Sequence, residues 1–341
     1  MRNPLRKLKR SAAEQATVGE LLSGTTTGRV QSAGRMQVLP LLAGDAPTTN
    51  LGDPAALGIS TGDYGTLKFR NDGPDHVLVP SHLAVMVSQK AQDHAMPRAT
   101  LVGPGADLPY NAAMCIQQSQ GGLISDGRHR LAVLPPSVRE AASAMPAKPG
   151  YDRLWPAVAR FKSSAGLPGS ADLVRFMKHF ADELDQFVAE FENVEDQIGA
   201  VVLMDGEVLG VERAPSHAYW NTMWEPLIRF CYGAEAVRRE AAGVPASPVT
   251  RAPLATPAAG GDGADPFSAL AAALRAADTA EQGLVETATS EAAAQSVVVG
   301  VDESAADLAV GTVIGERLVG AYALAGGTPV YASLTARNTL G

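Results

Sequence analysis

The sequence predicts a mixed α+β fold, with antiparallel β-hairpins forming a sheet packed against amphipathic helices in one composite domain. Three consecutive stretches between Ser170 and Glu240 carry that expectation. Phe176, Phe180, Leu184, Phe187 and Phe191 recur at steps of three and four, one continuous apolar stripe along a helix. Two extended apolar runs, Ile198 to Met204 and Glu207 to Val211, flank Asp205-Gly206, a dipeptide suited to a two-residue hairpin turn. Trp220, Met223, Trp224, Leu227, Ile228, Phe230 and Cys231 then crowd a second helix.

The remaining elements follow in order. Val18 to Leu22 reads as a short helix and Met36 to Leu42 as a strand. Gly24-Thr-Thr-Thr-Gly28 is followed by no Gly-Lys-Ser/Thr, so it is a turn before a strand rather than a phosphate cradle. Gly58-Ile-Ser60-Thr-Gly62 matches the G-x-S-x-G string of a nucleophile elbow. It lacks the preceding buried strand and following helix that strain such a serine, and it is expected to be a loop. Thr66 to Arg70 and His76 to Val87 read as strands of a hairpin around Asn71-Asp-Gly73, with Pro80 marking a bulge or sheet edge. Further strands are expected at Ala99 to Val102 and Ala112 to Gln118, and helices at Val138 to Met145 and Tyr151 to Phe161. Ser170 is the expected N-cap of the long Phe-striped helix, with Asp172 in its first turn. Pro226 should kink or divide the aromatic helix, and Gly243 with Pro245 should end it.

The Pro-, Ala- and Gly-rich run that follows reads as a linker, leading to an alanine-rich helix from Phe267 to Gln282 and extended pieces at Asp307 to Thr312, Glu316 to Leu324 and Pro329 to Leu334. The last hairpin echoes the central one: Gly199-Ala200 aligns with Gly320-Ala321, Leu203 with Leu324, and Asp205-Gly206 with Gly326-Gly327. The expected organisation is a basic arm (1–17), an α+β core (18–242), a linker (243–266) and a C-terminal helix and hairpin (267–341) that rejoins the core sheet.

Composition narrows the function classes. A chain of 341 residues with 46% hydrophobic content can bury a large core. A net charge of -8 argues against a general nucleic-acid or anionic-membrane binder. The exception is the N-terminus, where Arg2, Arg6, Lys7, Lys9 and Arg10 precede the first acid, Glu14. A solvated tail accounts for that arm, and docking on an acidic partner surface is its functional alternative. No apolar run reaches the roughly 18 residues of a membrane span, and no signal peptide is evident. Cys115 and Cys231 form no CxxC pattern, which fits two packed thiols in a reducing, cytoplasmic setting.

Four segments, Gln197-Ile-Gly-Ala-Val-Val-Leu-Met-Asp-Gly-Glu-Val-Leu-Gly210, Trp224-Glu-Pro-Leu-Ile228, Ala112-Ala-Met-Cys115-Ile-Gln-Gln118, and Leu318-Val-Gly-Ala to Val330-Tyr-Ala-Ser-Leu334, carry a family resemblance. In order and spacing the chain resembles a largely uncharacterised bacterial family named for its association with ADP-ribosylglycohydrolases and rhodanese-phosphatases. The resemblance covers roughly residues 18–242 and 306–335. The chain departs from the family's polar motifs. Of a Gly-Ala-Lys-Gln-Asn-Arg segment only Lys90 is kept, and a Ser-Cys-Val-Glu-Gln-Gly-Arg-Trp segment appears as Met114-Cys-Ile-Gln117-Gln118-Ser-Gln-Gly121. Gln117 replaces a glutamate, and a glutamine cannot serve as a general acid or base. This identifies the chain as a divergent member.

Lys90, Gln92, Gln117 and Gln118 stand where the family's polar segments fall, and they are the candidate ligand-binding residues. The lysine would suit an anion such as phosphate or an ADP-ribose-like molecule; an ordinary water-exposed sheet end is the alternative. His76, His82, His94, His129, His179 and His217 form no metal-site spacing. His76 and His82 with Asp75 or Asp93 are the weak metal alternative. No metal and no cofactor is expected, and the reading leans towards a protein that is not an enzyme. Three functions follow: an accessory or small-molecule-binding protein linked to nucleotide or ADP-ribose metabolism, a self-assembling homo-oligomeric structural protein, or a hydrolase of a phosphorylated small molecule.

Overall fold

The computed structural model describes residues 14–47, 49–86, 93–119, 129–246 and 266–337. The chain opens with β1 (Glu14–Thr17), α1 (Val18–Leu21), β2 (Thr26–Thr27), β3 (Gln31–Ala33) and β4 (Met36–Leu42). Short strands follow: β5 (Gly58–Thr61), β6 (Leu67–Arg70), β7 (Val77–Val79), β8 (Leu83–Met86), β9 (His94–Ala95), β10 (Thr100–Val102), β11 (Asp107–Tyr110), β12 (Met114–Cys115) and β13 (Arg130–Val133). The helical section holds α2 (Pro136–Ser143), α3 (Trp155–Ser164), α4 (Leu173–His179) and α5 (Ala181–Glu190). The central hairpin, β14 (Gln197–Met204) and β15 (Glu207–Arg213), leads to α6 (His217–Glu225), a π-helical stretch at Pro226–Gly233 and α7 (Ala234–Ala241). Last come α8 (Pro266–Ala293), β16 (Ser296–Ala305), β17 (Leu308–Gly315), β18 (Leu318–Ala325) and β19 (Thr328–Ala336).

One large antiparallel sheet runs β1-β16-β17-β18-β19-β15-β14-β4-β2, with β3 also on β4. Its middle strands are apolar on both faces because both are covered. β14 is buried at every position. On one face Val201, Leu203, Val211 and Leu334 meet Val18 and Leu21 of α1 and Val285 of α8. On the other, Ala200, Val202 and Leu209 meet Trp220, Met223 and Leu227 and the three small sheets. A further cluster packs α2 to α5 and α7 around Phe161, Phe176 and Leu184. The architecture is mixed α+β, antiparallel sheets and amphipathic helices in one domain.

The echo between the two hairpins is structural. Asp205 and Gly206 have φ of 56° and 85°, and Gly326 and Gly327 of 56° and 81°, the doubly positive geometry of a type I′ turn. The pairing slips between Val202 and Leu203 in one hairpin and between Ala323 and Leu324 in the other, the same position by the alignment. Gly199 and Gly320 also correspond: a Cβ there would lie 2.2 Å from the Glu212 carbonyl oxygen and 2.0 Å from that of Ser333.

Several elements differ from expectation. The Phe-striped helix is two helices, α4 and α5, broken where Phe180 leaves helical geometry (φ -108°, ψ 32°). Its cap is Asp172 rather than Ser170, because the Asp172 carboxylate accepts the Arg175 N–H at 2.9 Å. The hairpin expected around Asn71-Asp-Gly73 does not form. β6 pairs with β5 and β11, and β7 with β10, while Asn71 spends its side-chain amide on the carbonyls of Asp75, Val102 and Gly103. Gly58–Thr61 is the strand β5 instead of a loop, and the serine still lacks the strand-to-helix elbow. The expected strand from Ala112 to Gln118 is regular only at Met114–Cys115, and the Ala-rich helix extends to Ala293. Pro226 does mark the division of the aromatic helix. It has no N–H to continue the ladder, and the chain passes into the wide π turn.

Candidate functional site: a buried charge hub and an arginine-lined groove

Two features stand out at the central hairpin. The first is a buried hub between α2, the π-helical stretch and the sheet. β15 and β19 are neighbours in register, so Glu212 lies opposite Ser333. Arg139 of α2, fully buried, straddles that pair: one guanidinium nitrogen donates to Glu212 Oε1 at 2.7 Å and the other to Ser333 Oγ at 2.7 Å. Tyr232, carried by the π turn, donates its hydroxyl to the same Glu212 oxygen at 2.7 Å. Burial works against the Arg139 charge, but Glu212, Cys231 and Tyr232 more than offset it, and its pKa lies well above the usual arginine value. Burial, and then the Glu212 charge, likewise push the Tyr232 hydroxyl well up, so it stays a donor.

One turn further along α2, Ser143 Oγ sits 3.1 Å from His82 Nε2. His82 is buried and held at φ 65°, a conformation uncommon outside glycine in which asparagine, aspartate and histidine are the more frequent exceptions. This left-handed residue separates β7 from β8 and sends them into different sheets. Burial, with Arg139 and Arg98 close by, holds its pKa well below the ordinary histidine value. The imidazole is therefore neutral in the native state and protonated in the unfolded chain below about pH 6.5. The unfolded state then binds the extra proton, and His82 lowers stability as pH falls below that value, by up to about 1.4 kcal/mol per pH unit until the folded pKa is reached. Replacing His82 by Asn, which tolerates positive φ, should flatten the slope of stability between pH 6.5 and 5 in denaturant titrations; an unchanged slope would assign it to other groups.

The second feature is a groove of about 600 Å³ at one end of the large sheet. The central turn (Asp205, Glu207), the end of α7 (Arg239), the β17–β18 turn (Arg317) and the end of β19 (Arg337) converge on it. Arg239 is committed, pairing with Asp205 at 3.1 Å and Glu235 at 3.4 Å. Asp205 is also held by Arg35 at 3.0 Å, so the turn is pinned both to α7 and to the β3–β4 turn. Arg317 and Arg337 are cross-strand neighbours, the Arg337 N–H donating to the Arg317 carbonyl at 2.9 Å. Arg317 meets only the exposed Glu207 at 3.3 Å, and Arg337 makes no ion pair among the described residues.

Of the residues proposed from sequence, Lys90 and Gln92 lie outside the described residues. Gln117 is buried and bridges to Asp172. Gln118 is exposed, and its side-chain oxygen accepts the Ala171 N–H at 3.1 Å. Both therefore fasten the strand carrying Cys115 to the start of α4. The histidines do not gather. His217 Nδ1 lies 2.7 Å from the Gln197 carbonyl, and no group of three or more His, Cys, Asp or Glu among the described residues could hold a metal ion. Both cysteines are free and buried, and burial pushes Cys115 up to about 11 and Cys231 up to about 12, so both are inert thiols. No described helix is long and apolar enough to cross a membrane.

Fold and site together define a mixed α+β domain with a groove lined by Arg239, Arg317 and Arg337 and by Asp205, Glu207 and Glu316, and with no metal cluster among the described residues. The family model of the ARG and Rhodanese-Phosphatase-superfamily-associated Protein domain, ARPP-1, matches residues 24–314, and the chain belongs to that family. No curated protein and no solved structure matches it.

Proposed function

We propose that this chain is a binding protein for an anionic small molecule of nucleotide size, taken up in the groove at the end of the large sheet. The supporting observation is the cross-strand pair Arg317 and Arg337 on the groove wall, the first guanidinium paired with the exposed Glu207 at 3.3 Å and the second donating to the Gly315 carbonyl at 3.1 Å. Two arginines on neighbouring strands lining one groove suit a multivalent anion, and an arginine fork matches phosphate oxygens. The groove volume falls in the range of small-molecule sites, and Val208, Leu209, Leu318 and Pro245 offer apolar wall to a base or sugar. The family's name supports a phosphorylated, ADP-ribose-like ligand and nothing narrower. Two buried free thiols fit a reducing, intracellular setting.

Isothermal titration with ADP-ribose and with inorganic pyrophosphate tests the reading. The double variant Arg317→Ala/Arg337→Ala should weaken binding at least tenfold, since a hydrogen bond to a charged group contributes about 1.5–3 kcal/mol. Lys90→Ala should leave affinity unchanged. The opposite pattern would move the site to the Lys90, Gln92, Gln117 and Gln118 segments. Turnover of either ligand during the titration would favour the hydrolase alternative.

A further inference from the structure

Beside the hub a small cavity of about 20 Å³ opens between the 80–82 kink, α6 and the β15–β19 pair. Ser81, Trp220 and Glu212 line it, together with Tyr219, Tyr331 and Ser333. Ser81 Oγ and Trp220 Nε1 are buried and have no hydrogen-bond partner among the described residues, which is expensive for groups removed from water. Both hydrogen bonds from Tyr232 and Arg139 end on Glu212 Oε1, so Oε2 takes neither. The residues lining this one small space thus carry an indole N–H that can only donate, a carboxylate oxygen that can only accept, and a hydroxyl able to do either.

We propose that this cavity is a binding site for a single buried water molecule. The ligand must accept from Trp220 and donate to Glu212 at once. An ammonium ion or a metal cation has nothing with which to accept the indole proton, and a halide or phosphate oxygen would face the carboxylate. Water satisfies both, with Ser81 as its third partner, within the two to four contacts buried waters make. The volume admits one oxygen-sized molecule and no more, about what a water requires. The water completes the hub: it joins α6 and the 80–82 kink to the carboxylate that Arg139 holds from the other side.

A crystal structure of the full chain at a resolution that orders solvent tests the assignment. A peak refining as one water within about 2.7–3.2 Å of Trp220 Nε1, Glu212 Oε2 and Ser81 Oγ is expected. In solution, the Trp220 indole proton, assigned by its loss in Trp220→Phe, should show a long-lived nuclear Overhauser contact to water that persists in Ser81→Ala, which removes the exchanging hydroxyl. No peak, a peak that refines as a cation or anion, or an indole proton without the water contact would overturn the proposal.

Discussion

Arg139→Met is expected to be among the most damaging single substitutions in the chain, costing about 3–5 kcal/mol, because it strips a buried carboxylate of its cation. Methionine nearly fills the space of the arginine stem, so the loss is electrostatic rather than volumetric. Glu212 would keep the Tyr232 hydroxyl and lose its one ion pair among the described residues. Against a typical total stability of about 5–15 kcal/mol, that is a large fraction. The double variant Arg139→Met/Glu212→Met should recover most of the loss, since replacing a buried pair by packed apolar groups is often close to neutral. Urea titration of the two single variants and the double variant gives the coupling directly. A double variant as unstable as the sum of the singles would mean that the residues act independently and that the hub is not one unit.

Gly320→Ala is the second severe change. The added methyl would sit 2.0 Å from the Ser333 carbonyl oxygen, a backbone atom of the adjacent strand that cannot rotate away. Accommodation requires β18 and β19 to separate where Ser333 pairs with Glu212, in the middle of the sheet and at the hub itself. Overpacking typically costs about 1–3 kcal/mol and more when only backbone can yield, so the upper end or beyond is expected. Gly199→Ala, with its clash at 2.2 Å from the Glu212 carbonyl oxygen, should behave the same way. Similar losses at these two glycines, read as midpoint shifts, would establish the hairpins as equivalent units; a neutral Gly320→Ala would show that the sheet opens more readily than its register implies.

Local pattern made much of the fold legible. Asp205-Gly206 between two apolar runs specified the central hairpin, and Met36 to Leu42 was expected at the bounds β4 takes. Pro226 announced a break because its missing N–H acts on its own helix, wherever that helix lies. Pairing partners were not legible, since Asn71-Asp-Gly73 has the composition of a hairpin turn but its amide is captured by backbone from 75, 102 and 103. β16 was missed altogether. Its second half, Asp302 to Ala305, reads as polar, yet Glu303 faces β10 and accepts the Thr100 hydroxyl at 2.7 Å. The hub left a faint trace: Glu212 and Arg213 end an apolar strand with two charges, and Arg139 interrupts an otherwise uncharged face of α2. Nothing local says that those charges meet 73 residues apart in sequence. Arg213 illustrates the point further. Opposite in side to Glu212, it is buried and donates to the Leu21 carbonyl at 2.7 Å, with no ion pair among the described residues, and burial brings its pKa down to about 10.

Native mass spectrometry of the gently purified full-length protein, wild type beside Arg317→Ala/Arg337→Ala, tests the binding claim most directly. The groove reading predicts a discrete species carrying one adduct of nucleotide size per chain, or taking up one added ADP-ribose, and loss of that mass in the double variant. A wild-type chain that stays bare at every ADP-ribose concentration, or a large open-ended oligomer without adduct, would contradict it.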